Sequence, residues 1–147
     1  MSTEMQETAP GTHAEEDFGW SLGVLLRTYQ SAMSEVLTDL PHGHRGYQIL
    51  SAVAQGDQGS QLALAAHLGI DRSVMTYLID DLVEAELVER QPNPADRRQR
   101  RIVATDAGIR ALAELDRRVQ TAQDSVLAPL APGERETLCR LVRRVAS

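Results

Sequence analysis

Arg90, Arg97, Arg98, Arg100 and Arg101 fall within one short stretch that holds only two acids, Glu89 and Asp96. The local balance there is +3, in a chain whose formal net charge is −6. A guanidinium is planar, permanently charged and carries its donors in a fork that fits phosphate. A positive island on an acidic protein therefore reads as an electrostatic footprint for phosphate. The plainer alternative is a solvated charge run, and the flanking residues bear on that choice. Leu87 to Gln91 and Arg101 to Ala104 have strand-like composition, and Pro92, Asn93, Pro94 and Asp96 between them are turn formers. The arginines would then crowd the tip of a β-hairpin, where one of them can enter a narrow minor groove.

The segment just before the hairpin carries the pattern of two helices joined by a tight turn. Leu62, Leu64, Ala65 and Leu68 recur at helical spacing, and Gly69 stands where that helix must end. Ile70 is apolar, as a residue plugging the space between two helices would be, and Asp71 can cap the helix that follows. In that helix Val74, Met75, Leu78, Ile79, Leu82 and Val83 form the expected buried stripe. Arg72, Ser73, Thr76, Tyr77, Asp80 and Asp81 are left on other faces, and the first four have side chains able to reach base edges or phosphates. Helix, turn, helix and basic hairpin in this order describe a winged helix-turn-helix, with one helix for a DNA major groove and a basic loop beside it.

The motifs in this region resemble the MarR family of bacterial transcription regulators. The resemblance rests on Leu68–Ser73 (LGIDRS), Leu87–Arg90 (LVER), the Asp-x-Arg of Asp96–Arg98 and the T-x-x-G of Thr105–Gly108. With a weaker fit at the flanks it extends from about Asp17 to the C-terminus. It implies a homodimer with a winged domain in each subunit, interleaved terminal helices, and release of DNA when a small molecule binds. Carried over by position, Arg98 is similar to the arginine at the wing tip that enters the minor groove. Asp96 is similar to the acid that orients arginine within the wing. Arg97, Arg100 and Arg101 would add basic contacts there, and Arg72, Ser73, Thr76 and Tyr77 would face DNA from the recognition helix. The chain departs from the family where Tyr77 and Asp81 replace residues that are arginine in many members. The resemblance also implies an effector site between the first two helices and the long helix after the wing. Trp20, Tyr29, His42, His44, Arg45 and Tyr47 lie on the first two, and aromatic walls with a few polar groups suit an aromatic or anionic ligand.

Apolar periodicity supplies the frame around the reader. Residues 1–16 are polar, acidic and without a basic residue, and read as a disordered leader with no signal-peptide pattern. Leu22, Leu25, Leu26, Tyr29, Met33, Val36, Leu37 and Leu40 trace a first helix within about 17–40, broken by Pro41 and Gly43. The winged domain would occupy about 44–105. Residues 106–147 would form a long helix, with Ile109, Leu112, Leu115, Val119, Ala122, Val126, Leu127 and Leu130 on one face, and a last helix from Pro132. The fold class expected is mainly α with a small β-hairpin wing. The terminal helices carry more apolar surface than one small domain can cover, which argues for a second copy.

Other chemistries find little support. No apolar run approaches the ~20 residues of a membrane span, and the lone Cys139 can form no internal disulfide, so a cytoplasmic protein is expected. Nothing resembles a phosphate-cradling glycine loop, a metal triad or a glycine-flanked nucleophilic serine, so neither an enzyme nor a cofactor is expected. Two alternatives stay open. One is a winged helix used only for protein contacts. The other is a metal-responsive regulator built on His42 and His44 with nearby Asp39, although their spacing matches no recognised ligand pattern.

Overall fold

The computed structural model describes residues 17–56 and 59–147. The acidic leader expected over residues 1–16 lies outside the described residues. Six helices and one hairpin follow in order: α1 (Phe18–Val36), α2 (His44–Gln55), α3 (Gln61–Leu68), α4 (Arg72–Glu84), β1 (Val88–Pro92), β2 (Arg100–Ala104), α5 (Asp106–Val126) and α6 (Pro132–Val145). The fold is mainly helical with one antiparallel two-stranded wing.

Side chains at the helix starts explain where the elements begin. The first amides of a helix lack intrahelical partners, and a short polar side chain just outside it can accept from them. Asp17 accepts from the amides of Gly19 and Trp20, Ser60 from Ala63, Asp71 from Ser73, and Thr105 from Gly108. At the last helix the Glu134 carboxylate reaches back to the Ala131 amide. Gly69 closes α3 at φ 64°, and its neighbour Ile70 donates back to the Ala65 carbonyl. That left-handed turn aims α4 across α3.

One core serves the reader and its frame. Met33 and Leu37 of α1 and its exit, Ile49 and Leu50 of α2, Leu64 of α3, Met75, Ile79 and Leu82 of α4, and Val88 of β1 are fully buried together. Leu115 and Val119 of α5 join them. Among the residues read as stripe positions, Leu62, Val74 and Ile109 are instead exposed. The first two sit in the opening turns of α3 and α4, at the outer surface of the reader, where no element packs over them. Periodicity marks a face, but not how far along the helix its neighbour extends.

The frame leaves much of its apolar surface open. In α1 the stripe divides: Met33 is buried, whereas Leu22, Leu25 and Leu26 are exposed. In α6 no residue is buried, and Leu141, Val142 and Val145 all face outward. The strand bounds also shift. Pro92, read as a turn residue, is the last residue of β1 and stands opposite Arg100, which the missing proline N–H permits at the end of an edge strand.

The wing meets the frame at a close approach. The Thr105 amide donates to the Leu87 carbonyl at 3.1 Å, and the Thr105 hydroxyl donates to the Glu86 carbonyl at 2.6 Å. Gly108 lies against the same Leu87 carbonyl, where a Cβ would overlap the oxygen. Gly108→Ala is expected to lower stability by roughly 1–3 kcal/mol, the range for a forced backbone shift. Urea unfolding checks this, and an unchanged midpoint would show that α5 can move aside without loss.

Candidate nucleic-acid interface

Helix α4 presents one outer face from its N-terminus. Arg72, Ser73, Thr76 and Tyr77 are all exposed there, Tyr77 at 73%. Two of the hydroxyls already have partners. Ser73 Oγ donates to Asp71 Oδ1 at 2.5 Å, and the hydrogen bonds from Ser73 hold the Asp71 carboxyl below its ordinary pKa. Thr76 Oγ1 donates to the Arg72 carbonyl at 3.1 Å and accepts from Gln61 Nε2 at 3.1 Å. The backbone dipoles at this helix start add a partial positive charge beside Arg72.

The hairpin register sorts the wing arginines by face. Successive strand residues alternate faces, and directly paired residues share one. Arg90 pairs with Ile102 and Pro92 with Arg100, on the face that packs against the helices. Arg101 pairs with Gln91 on the opposite face. Accordingly Arg98, Gln99 and Arg100 line a cleft with Gln61, Leu62, Arg72, Met75 and Thr76. Arg101 instead lines a hollow against Ala52, Val53 and Ile109. Arg97 is exposed on the turn between the strands. Sequence placed all five cations in one island; the structure brings Arg72, Thr76, Arg98 and Arg100 together and directs Arg101 away from them.

Asp96 shapes the turn through the backbone. Its Oδ1 accepts from the Arg98 amide at 3.0 Å, and its carbonyl accepts from the Gln99 amide at 3.1 Å. Asn93 makes the matching bond to the Ala95 amide at 3.0 Å. These side-chain-to-backbone bonds, that of Asn93 closing around Pro94, define a compact turn. The expectation that Asp96 orients an arginine side chain takes a different form here: it positions the Arg98 main chain, and the guanidinium is free of it.

Two of the three acids of α4, Asp80 and Asp81, are paired away from the cleft. Asp81 Oδ2 lies 2.5 Å from His42 Nε2, at the turn before α2. Asp80 Oδ1 lies 2.6 Å from Arg90 Nη2. Among the described residues, Arg72, Arg97, Arg98, Arg100 and Arg101 take part in no ion pair. The interface thus combines unpaired cations with Asp80 and Asp81 turned to other partners, an arrangement that suits a phosphate backbone. The two ion pairs join residues far apart in sequence, and no local signal marks them.

The residues expected around an effector do not all converge. Tyr29 and His44 meet edge to face, with ring centroids 5.5 Å apart. Tyr47, on the next turn of α2, donates to Asp116 Oδ1 of α5 at 2.6 Å, and burial with that bond raises its pKa. Arg45 is exposed, and His42 is turned to Asp81. Trp20 stands nine residues before Tyr29, roughly 13 Å along α1, and lines an open hollow with Val24, Leu25 and Thr28. A more apolar hollow lies between α1, α5 and α6, lined by Leu22, Leu26, Tyr29, Val126, Cys139 and Val142 among others. Asp39 is held by two 3.1 Å hydrogen bonds from Arg118, which lower its pKa. His42, His44 and Asp39 therefore point to three different partners, and among the described residues no three His, Cys, Asp or Glu side chains gather as metal ligands.

The geometry is that of a winged helix-turn-helix: a turn of Gly69 and Ile70, a helix with a basic polar outer face, and a hairpin whose inner arginines share its cleft. Residues 45–99, which run from α2 into the wing, match the MarR family. A transcriptional regulatory protein for the hcr operon of Thauera aromatica is 33% identical over 99 residues, covering 67% of this chain. The chain spans 60% of that relative's length. A transcriptional repressor, CouR, solved on a 23-mer DNA duplex superimposes with a TM-score of 0.81 at 23% identity, over 95% of this chain and 99% of that one. PcaV of Streptomyces coelicolor, solved with its natural ligand, gives 0.69 at 27% identity, over 88% and 94%. The chain belongs to the MarR family.

His44 yields a pH prediction. Its Nδ1 is buried without a partner, and burial lowers its pKa from the ordinary 6.5. Between the lowered folded value and 6.5 the unfolded chain binds more protons. Stability from neutral His44 is therefore complete above about pH 6.5 and lost as pH falls through the folded value. Urea midpoints at pH 8 and pH 5 should fall further for wild type than for His44→Phe. Equal falls would count against this histidine.

Proposed function

We propose that this protein is a homodimeric transcriptional regulator that binds a pseudo-palindromic double-stranded DNA operator and releases it when a small molecule binds. The observation that carries the reading is the convergence of unpaired Arg72, Arg98 and Arg100 on one cleft while Asp80 and Asp81 are paired elsewhere. In each subunit α4 would enter a major groove, with Arg72, Ser73, Thr76 and Tyr77 toward bases and phosphates. The wing would reach the flanking minor groove through Arg98, with Arg97 and Arg100 at the backbone beside it and Arg101 a lesser contact from the far face. Half-sites would then lie about one helical turn, roughly 34 Å, apart. CouR on DNA supports the reading by its similarity of fold.

The role proposed is repression, relieved by an aromatic or anionic effector, with no catalysis. Tyr29, His44 and Tyr47, where α1, α2 and α5 meet, are the proposed seat, supported by the unpartnered ring nitrogen of His44. An effector acts there only if it binds the free protein more tightly than the DNA-bound one. A cytoplasmic location is part of the same proposal. Among the described residues, no helix is long and apolar enough to cross a membrane.

The dimer would use the exposed halves of α1 and α6. A combined Leu22→Asp and Val142→Asp variant is expected to sediment as a monomer where wild type sediments as a dimer. The substitutions fall on exposed positions, so the subunit should remain folded. Monomeric wild type at micromolar concentration would overturn the assembly.

DNA binding is tested by fluorescence anisotropy on duplexes recovered by selection, across a salt series. Wild type should bind with a steep salt dependence. Arg98→Ala should weaken binding severalfold and reduce the salt slope by about two units, as loss of one cationic contact in each of two subunits would. Failure of wild type to select any duplex at low salt would favour a winged helix used for protein contacts instead.

A further inference from the structure

Arg90 belongs by sequence to the basic island, yet its guanidinium is turned inward. Its Nε donates to Gln61 Oε1 at 3.2 Å, and its Nη2 lies 2.6 Å from Asp80 Oδ1 and 3.4 Å from the Thr76 carbonyl. Gln61 is the first residue of α3, and its amide donates in turn to the Thr76 hydroxyl. One side chain on β1 therefore ties the wing to the start of α3 and to the middle of α4. The register sets it two residues before Pro92, the last residue of β1 and the partner of Arg100.

We propose that Arg90 is a positioning residue that fixes the wing against the recognition helix, and so sets DNA sequence preference without itself touching DNA. This rests on the DNA-reading function proposed above. A major groove and the minor groove beside it have a set offset, and two readers profit from both only if their separation is held. The wing is a two-stranded ribbon, which twists more freely than a wider sheet. A planar fork with partners on two helices removes that freedom, and the rigid geometry of guanidinium is what permits both contacts from one side chain. The same contact neutralises Asp80, an acid on the helix that would enter the groove. Lysine would keep the charge but not the fork.

The test uses the full chain and duplexes selected by wild type, with scrambled duplexes as reference. Anisotropy gives the affinity for both, over a salt series, for wild type, Arg90→Lys, Asp80→Asn and Gln61→Ala, with thermal unfolding of each variant. Positioning predicts that Arg90→Lys lowers the ratio of selected to scrambled affinity by about tenfold, the scale of one lost base-pair preference, while its salt slope stays at the wild-type value. Asp80→Asn should likewise weaken binding to the selected site. A charge role predicts the reverse: Arg90→Lys keeps the ratio, and Asp80→Asn tightens both duplexes alike. Either result would overturn the proposal. If Arg90→Lys or Asp80→Asn fails to fold, Gln61→Ala removes one arm alone; it should lower the ratio about threefold, on the same scale of lost base preference, and an unchanged ratio would refute positioning. Wild type with no preference for any duplex would overturn the DNA-reading function itself, whereas a selective wild type matched by Arg90→Lys would overturn only this inference.

Discussion

Two strands alone are marginal in water, so the wing of this protein depends on what holds its root. The root is held at two points. At one, Thr105 and Gly108 bring the start of α5 against the carbonyls of Glu86 and Leu87, satisfying backbone groups that the end of α4 would otherwise leave open. At the other, Arg90 reaches from β1 to α3 and α4. Between them Val88 and Ile102 are buried in the common core. The hairpin tip can then be built without a buried side chain, because its register is set from the base by these contacts and at the turn by Asn93 and Asp96.

The electrostatic arrangement follows from the same packing. An acidic chain that binds a polyanion must keep its carboxylates away from the contact face, and here Asp80 and Asp81 of α4 each have a cationic or histidine partner. These pairs are partly exposed, and such pairs contribute little to stability. Their consequence is directional: they turn Asp80 and Asp81 off the cleft and leave Arg72, Arg98 and Arg100 to set the local field. The His42–Asp81 contact also joins the turn between α1 and α2 to α4.

The frame follows a different logic. Half of the α1 stripe and all of α6 carry apolar side chains with nothing over them in a single subunit. Exposed apolar surface of this extent on helices that already have regular geometry is unfavourable for an isolated subunit. The open face and the reader are thus linked, since α1 and α5 run from that face to the base of the winged domain.

Much of this was legible in the chain. The helices, the Gly69–Ile70 turn, the cap at Asp71 and the existence of the wing follow from local rules, because caps, turns and periodicity act over a few residues. The arginine island was legible as charge, but not as geometry. Whether an arginine serves the cleft, the far face or the interior depends on strand register and on partners such as Gln61 and Asp80, 29 and 10 positions away in sequence. The same holds for the aromatic set: Tyr29 and His44 meet because α1 crosses α2, while Trp20 does not join them because α1 carries it past the packed region. By itself the sequence determined which elements form and that one surface would be basic, since those depend on neighbouring residues. Only the tertiary structure decided which cations remain free, because pairing a charge requires a partner that folding alone brings within hydrogen-bond reach.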